Sequence, residues 1–204
     1  MRTQTKLIQD NLTPKDAHHI LVEGNKRFAQ NLKAQRNLKD QVLETSTGQF
    51  PFAVILSCID SRVPAELVFD QGIGDIFSVR IAGNIVNDDI LGSMEYACKV
   101  AGSKIVMVMG HTKCGAVTAA YQDVQLGNIT TLLDKIQPAV KIIKEEKDTD
   151  EAIGIEKTAV LNVKLSIDKI RVNSPILAAM ERANEIEIVG AVYDVTNGVV
   201  TFMD

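Results

Sequence analysis

The chain reads as an α/β protein: a mostly parallel sheet in the order 2-1-3-4, an antiparallel fifth strand, and helices on both faces. Three observations predict this. Apolar runs of strand length alternate with segments of helical periodicity. Two fragments, Ser57-Cys-Ile-Asp-Ser-Arg62 and Gly110-His-Thr-Lys-Cys-Gly115, each follow directly on such a run. If they share one site, strands one and three are neighbours, and strand order reverses between them, where ligands of open α/β sheets bind. Last, Asn197-Gly198 separates two apolar runs near the end of the chain, the signature of a hairpin.

Each element has its own signal. Thr13-Pro14 starts a helix, with Thr as N-cap and Pro at the first helical position. The helix runs through Ile20, Leu21 and Phe28, and polar sequence with Gly48 follows, so about 13–47 reads as an N-terminal helical arm. Phe52-Ala-Val-Ile-Leu56 is a continuous apolar run, suited to a strand buried on both faces. Pro64 opens a short helix to about Phe69, and Ile76-Phe-Ser-Val79 reads as strand two. From Asp88 to about Ala101, Ile90, Leu91, Met94, Ala97 and Cys98 recur at helical spacing. Lys104-Ile-Val-Met-Val-Met109 is strand three, and a helix follows the second fragment through Tyr121. Helical segments at about 129–147 and 151–172 come next, and Ser174-Pro175 caps another helix. Ile186 to Val195 is strand four. Asn197-Gly198 predicts a two-residue turn of type I′, with Val199-Val-Thr-Phe202 returning antiparallel. No linker or repeat interrupts the chain, so 1–204 reads as a single domain.

Composition narrows the function. The 204 residues are 46% hydrophobic and 24% charged, with a net charge of −4. That balance argues against nucleic acid and anionic membrane surfaces as partners. No apolar run approaches the roughly 20 residues of a membrane span. The polar start, Met-Arg-Thr-Gln-Thr-Lys, lacks the apolar core of a secretory signal, and three cysteines make a poor disulfide framework. A cytoplasmic protein with reactive or metal-bound thiols is the expectation.

The two fragments supply Cys58, His111 and Cys114, the ligand types zinc prefers. Cys58 and Asp60 are two apart and point the same way from an extended strand end. His111 and Cys114 are three apart and share a face if they lie on a first helical turn. The plainer alternative is a buried structural cysteine and a histidine at a helix start. A structural zinc site is closed by four protein ligands, whereas only three of the Cys and His type converge here. The fourth position falls to water or to Asp60. Paired with Arg62, Asp60 would stay ionised and off the metal, ready to accept a hydrogen bond from bound water. Otherwise the pair merely pins the loop. His18 and His19 splay apart on a helix and cannot chelate together. Cys98 sits on an apolar face and reads as a small core thiol, and Lys144-Glu-Glu-Lys147 as a solvated helix end.

These residues resemble the β-class carbonic anhydrases, whose zinc signature is C-x-D-S-R followed by H-x-x-C. Gly74-Asp-Ile-Phe-Ser-Val-Arg-Ile-Ala-Gly-Asn84 is similar to the family's G-D-x-F-x-x-R-N-A-G-N stretch. Ser93-Met-Glu-Tyr-Ala97 resembles its S-x-E-Y-A helix, and Gly190-Ala-Val-Tyr-Asp194 its G-x-x-Y-D strand. The likeness covers about residues 15 to 200. It implies one zinc per chain on Cys58, His111 and Cys114, an Asp60–Arg62 dyad, and Asp60 as ligand only in a closed form. It also implies that Gln49, Phe77 and Tyr96 line a substrate pocket. The implied activity is the lyase reaction of a carbonic anhydrase: reversible hydration of CO2 to bicarbonate and a proton by zinc-bound hydroxide. Homodimers or multiples of dimers are the implied assembly. Two departures stand out. Ile81 replaces the family's usual Asn, and Ile55 stands where the bicarbonate-regulated branch carries Trp, although Arg80 and Tyr193 match that branch. Trp is absent altogether, which favours an open site at neutral pH. Two other readings use the same residues: a hydrolase of a related cumulene, CS2 or COS, and a non-enzymatic module with structural zinc.

Overall fold

A computed structural model describes residues 3–146 and 150–203. Among them one sheet of five strands forms in the order β2-β1-β3-β4-β5. The strands are β1 (Ala53–Ser57), β2 (Ile76–Arg80), β3 (Ile105–His111), β4 (Glu187–Tyr193) and β5 (Val200–Phe202). Only the β4–β5 pairing is antiparallel. The predicted order and the antiparallel fifth strand therefore hold. Every residue of β1 and of β3 is buried, which is why both read as unbroken apolar runs.

The period of two sorts those runs onto two layers. Val54, Leu56, Val106 and Val108 face α5 (Asp88–Glu95), α9 (Glu151–Asn173) and α10 (Pro175–Arg182) through Met94, Val163, Ile170 and Leu177. Ala53, Ile55, Ile105, Met107 and Met109 face the other way, onto α2 (Pro14–Ala29) and α4 (Ala65–Val68). Helices thus cover both faces. Ile55 is core packing among Leu21 and Phe69, and Cys98 is a buried core thiol whose surroundings push its pKa up to about 12. His19 is exposed, while His18 leans on Phe202 and its Nδ1 lies 3.3 Å from Glu187 Oε2.

Three features differ from the sequence expectations. The arm holds a further helix, α3 (Leu38–Thr45), and α1 (Lys6–Asn11) precedes it. Polar sequence hid α3, which Asn37 starts by accepting from the N–H groups of Lys39 and Asp40. The helix expected over 129–147 is two, α7 (Gly127–Leu133) and α8 (Gln137–Lys144), because Pro138 cannot continue a helix from the preceding turn. Of the solvated run, Lys144 ends α8, Glu145 and Glu146 are exposed, and Lys147 lies outside the described residues. The β4–β5 connection is not a type I′ turn. Asp194 N–H donates to Val199 O across a longer loop in which only Gly198, at φ 80°, is left-handed. Asp194 decides this: its carboxylate accepts from Thr196 N–H, Thr196 Oγ1 and Asn197 Nδ2, an Asx turn that keeps Asn197 out of the left-handed region.

Candidate metal centre

β1 and β3 are adjacent and parallel, with Ser57 opposite Met109, so both fragments emerge at the same edge of the sheet. Cys58 follows the last residue of β1. His111 is the last residue of β3, not part of a helical turn as its spacing from Cys114 suggested. The chain instead reverses through Lys113, at φ 54°, and Cys114 becomes the N-cap position of α6 (Gly115–Tyr121). A strand end, a left-handed residue and a helix start bring the two side chains together where one helical turn would have done the same.

Cys58, His111 and Cys114 are all buried, and their ligand atoms lie within 4.8 Å of one another. The two sulfurs are 4.0 Å apart. Two Zn–S bonds of about 2.3 Å at a tetrahedral angle would separate them by about 3.8 Å. His111 Nδ1 lies 2.9 Å from Thr112 O. A carbonyl only accepts, so Nδ1 carries the proton and Nε2 keeps its lone pair. That Nε2 is buried without a hydrogen-bond partner. An unpartnered buried imidazole nitrogen beside two sulfurs fits a divalent soft-metal ion such as zinc. The two sulfurs are coupled through the contact between them. That contact holds the Cys58 thiol below its ordinary pKa, and the same contact together with burial pushes that of Cys114 up. Gly83 N–H adds a hydrogen bond to Cys58 Sγ at 3.3 Å.

Asp60 and Arg62 form a bidentate pair, Nε to Oδ1 at 2.9 Å and Nη2 to Oδ2 at 2.8 Å. Arg62 N–H also donates to Oδ1. This pairing holds the Asp60 carboxyl well below the usual carboxylate range. Its Oδ2 stops 4.0 Å from His111 Nε2. Arg62 Nη2 reaches Lys113 O as well, and thereby ties the two fragments together.

Other supports were not read as such from the sequence. Arg80 donates to the carbonyls of Cys58 and Asp60, and Glu156 on α9 accepts Lys113 N–H at 2.9 Å. Glu156 lies far along the chain in a helix with no motif, so no local signal marks it. Ile81 does not hydrogen-bond through its side chain and packs against the apolar clusters instead.

The three pocket residues lie elsewhere in the chain. Phe77 pairs with Val54, four residues before Cys58, or roughly 13 Å down the strand at about 3.3 Å per residue. Its ring meets that of Tyr96 edge-on at 6.3 Å. Both line an open groove of about 640 Å³ between β2 and α5. Gln49 precedes β1 and lines a separate groove with Thr45, Ile73 and Gly74. One chain therefore assembles Cys58, His111, Cys114, Asp60 and Arg62, but not Gln49, Phe77 and Tyr96.

A buried Cys-His-Cys cluster at the reversal point of a 2-1-3-4 sheet, with a carboxylate–guanidinium pair at its mouth, defines a class of metalloprotein. Comparison with known proteins gives the family. The sequence model of the carbonic anhydrases matches residues 53–200. Carbonic anhydrase 2 of Mycobacterium tuberculosis is 31% identical over 194 residues, 92% of each chain. A β-class carbonic anhydrase from Aspergillus fumigatus superposes with a TM-score of 0.73 over 81% of both chains at 27% identity. Two tetrameric β-class carbonic anhydrases were solved from Sordaria macrospora; one chain aligns at TM-score 0.72 and 24% identity, covering 92% of this chain and 97% of that one. The chain belongs to the carbonic anhydrase family, in its β class.

Proposed function

We propose that this chain, acting as a cytoplasmic lyase, hydrates CO2 reversibly with one zinc ion held by Cys58, His111 and Cys114. The supporting observation is the unpartnered Nε2 of His111 facing two sulfurs 4.0 Å apart. A bound zinc supplies the Lewis acidity that turns water into a nucleophile toward CO2. The thiolates of Cys58 and Cys114 cancel the charge of a divalent ion, so the working range lies on the alkaline side. Asp60 Oδ2 accepts a hydrogen bond from the attacking water and orients it. Arg62 keeps Asp60 ionised and off the metal, the open arrangement. In a closed form, Asp60 itself is the fourth ligand.

Gln49, Phe77 and Tyr96 serve as substrate-binding residues by our reading. Their distance from the cluster within one chain supports action on a second copy's site, in a dimer or multiple of dimers. Residues 1–204 act as one domain, with 13–47 as a helical arm. Replacing Cys58 by Ser should abolish stoichiometric zinc and CO2 turnover together. CO2 should be turned over far faster than COS or CS2. The reverse order would reassign the substrate to another cumulene.

A further inference from the structure

The loop that follows β2 carries two consecutive left-handed residues, Gly83 at φ 67° and Asn84 at φ 42°. Asn tolerates the second better than most residues with a side chain, but two in succession make a tight turn that its surroundings must hold. The turn also aims Gly83 N–H at Cys58 Sγ, 3.3 Å away. What holds it comes from far along the chain. Asn162, buried on α9, donates its Nδ2 to Gly83 O at 2.9 Å. One turn of α9 earlier, Ala159 packs in a small cluster with Cys58 and Cys114, and Val163 fills the space over Gly110. α9 is thus the back wall of the metal centre, and Asn162 is its polar contact with the loop carrying the N–H.

We propose that Asn162 is a positioning residue of the metal centre: by gripping Gly83 O it fixes the Gly83 N–H against the Cys58 sulfur. An N–H donated to a thiolate withdraws charge from it and restricts its direction. A ligand so held gives less charge to the metal and leaves the ion more acidic. Partners of this kind, one step out from the ligands, typically change metal affinity or activity 10- to 100-fold when lost. This inference rests on the zinc reading above.

The test uses the full chain loaded with 113Cd in place of zinc. Scalar coupling between cadmium and the Gly83 amide proton reads the N–H···S contact directly, with no substitution. We expect that coupling in the parent. In Asn162→Ala we expect it weakened or lost, with one metal still bound per chain and zinc affinity down 10- to 100-fold. Asn162→Leu, which keeps the volume and removes the donor, should behave alike if the alanine variant does not fold. A parent that binds one metal yet shows no coupling overturns the inference. So does a folded variant with unchanged coupling and affinity, in which Asn162 would act only as a structural clamp. A parent that binds no metal defeats the zinc reading instead.

Discussion

In the proposed reaction the chemistry turns on Asp60. Two guanidinium bonds and a backbone N–H hold its carboxylate, and its Oδ2 faces His111 Nε2 without reaching ligand distance. Arg62→Ala releases it. We expect CO2 turnover to fall roughly a hundredfold while zinc stays near one per chain, as measured by stopped flow and metal analysis on one sample. Loss of zinc instead would mean that Arg62 chiefly supports the ligands. Arg62 holds Asp60 well below the usual carboxylate range, so Asp60 stays ionised from pH 5 to 9 and contributes no inflection there. An Asp60→Asn variant should therefore lose activity throughout that window, because no pH within it restores the carboxylate. The cluster of Cys58, His111 and Cys114 was legible in the sequence because C-x-D-x-R and H-x-x-C carry their chemistry locally. The Nδ1 contact to Thr112 O and the N–H of Gly83 were not, since both depend on backbone directions that no side-chain pattern encodes.

At the scale of elements, the arm is tied to the sheet by polar groups that sequence periodicity cannot register. Asp70, itself at φ 46°, binds Arg27 on α2 and Arg36 beyond it, and accepts Ala34 N–H. Burial raises its carboxyl pKa, but Arg27, the Ala34 N–H and Arg36 outweigh that and lower it. A carboxyl lowered in the fold stabilises above its ordinary pKa, and that stability fades as pH falls through the folded value. Asp70→Asn tolerates the same backbone and removes the carboxylate that Arg27 and Arg36 share. It should cost about 3 kcal/mol at pH 7 in urea unfolding, with the deficit shrinking below about pH 4.

A second tie is Asn25, buried on α2. Its Nδ2 donates to Val68 O and Gly198 O, and its Oδ1 accepts Val200 N–H. Asn25→Ala should lose about 2 kcal/mol by thermal or urea unfolding, and the β4–β5 hairpin should gain the earliest amide exchange. The strands of this sheet were readable from apolar runs alone. The hairpin type was not, because the Asp194 carboxylate, rather than the Asn-Gly pair, sets the loop.

For the whole molecule, strand order followed from a single demand, that two distant fragments meet on one ion. The fold honours it. The same fold leaves Phe77 and Tyr96 at an edge strand far from the cluster, with Tyr96 55% exposed. Exposed apolar side chains on α1 and the arm, among them Leu7, Leu38 and Leu43, add surface that a second copy would cover. Sedimentation at micromolar concentration should return a dimer or a multiple of one, and Tyr96→Ala should raise KM for CO2 several-fold with zinc content unchanged. A monomer with full activity would remove Gln49, Phe77 and Tyr96 from the substrate site. Among the described residues no helix is long and apolar enough to cross a membrane. The most direct test of the account is stopped-flow CO2 hydration from pH 6 to 9, with zinc measured on the same sample. The account predicts one zinc per chain and a rate that climbs toward the alkaline end. Full zinc occupancy with no hydration anywhere in that range would contradict it and make the centre structural.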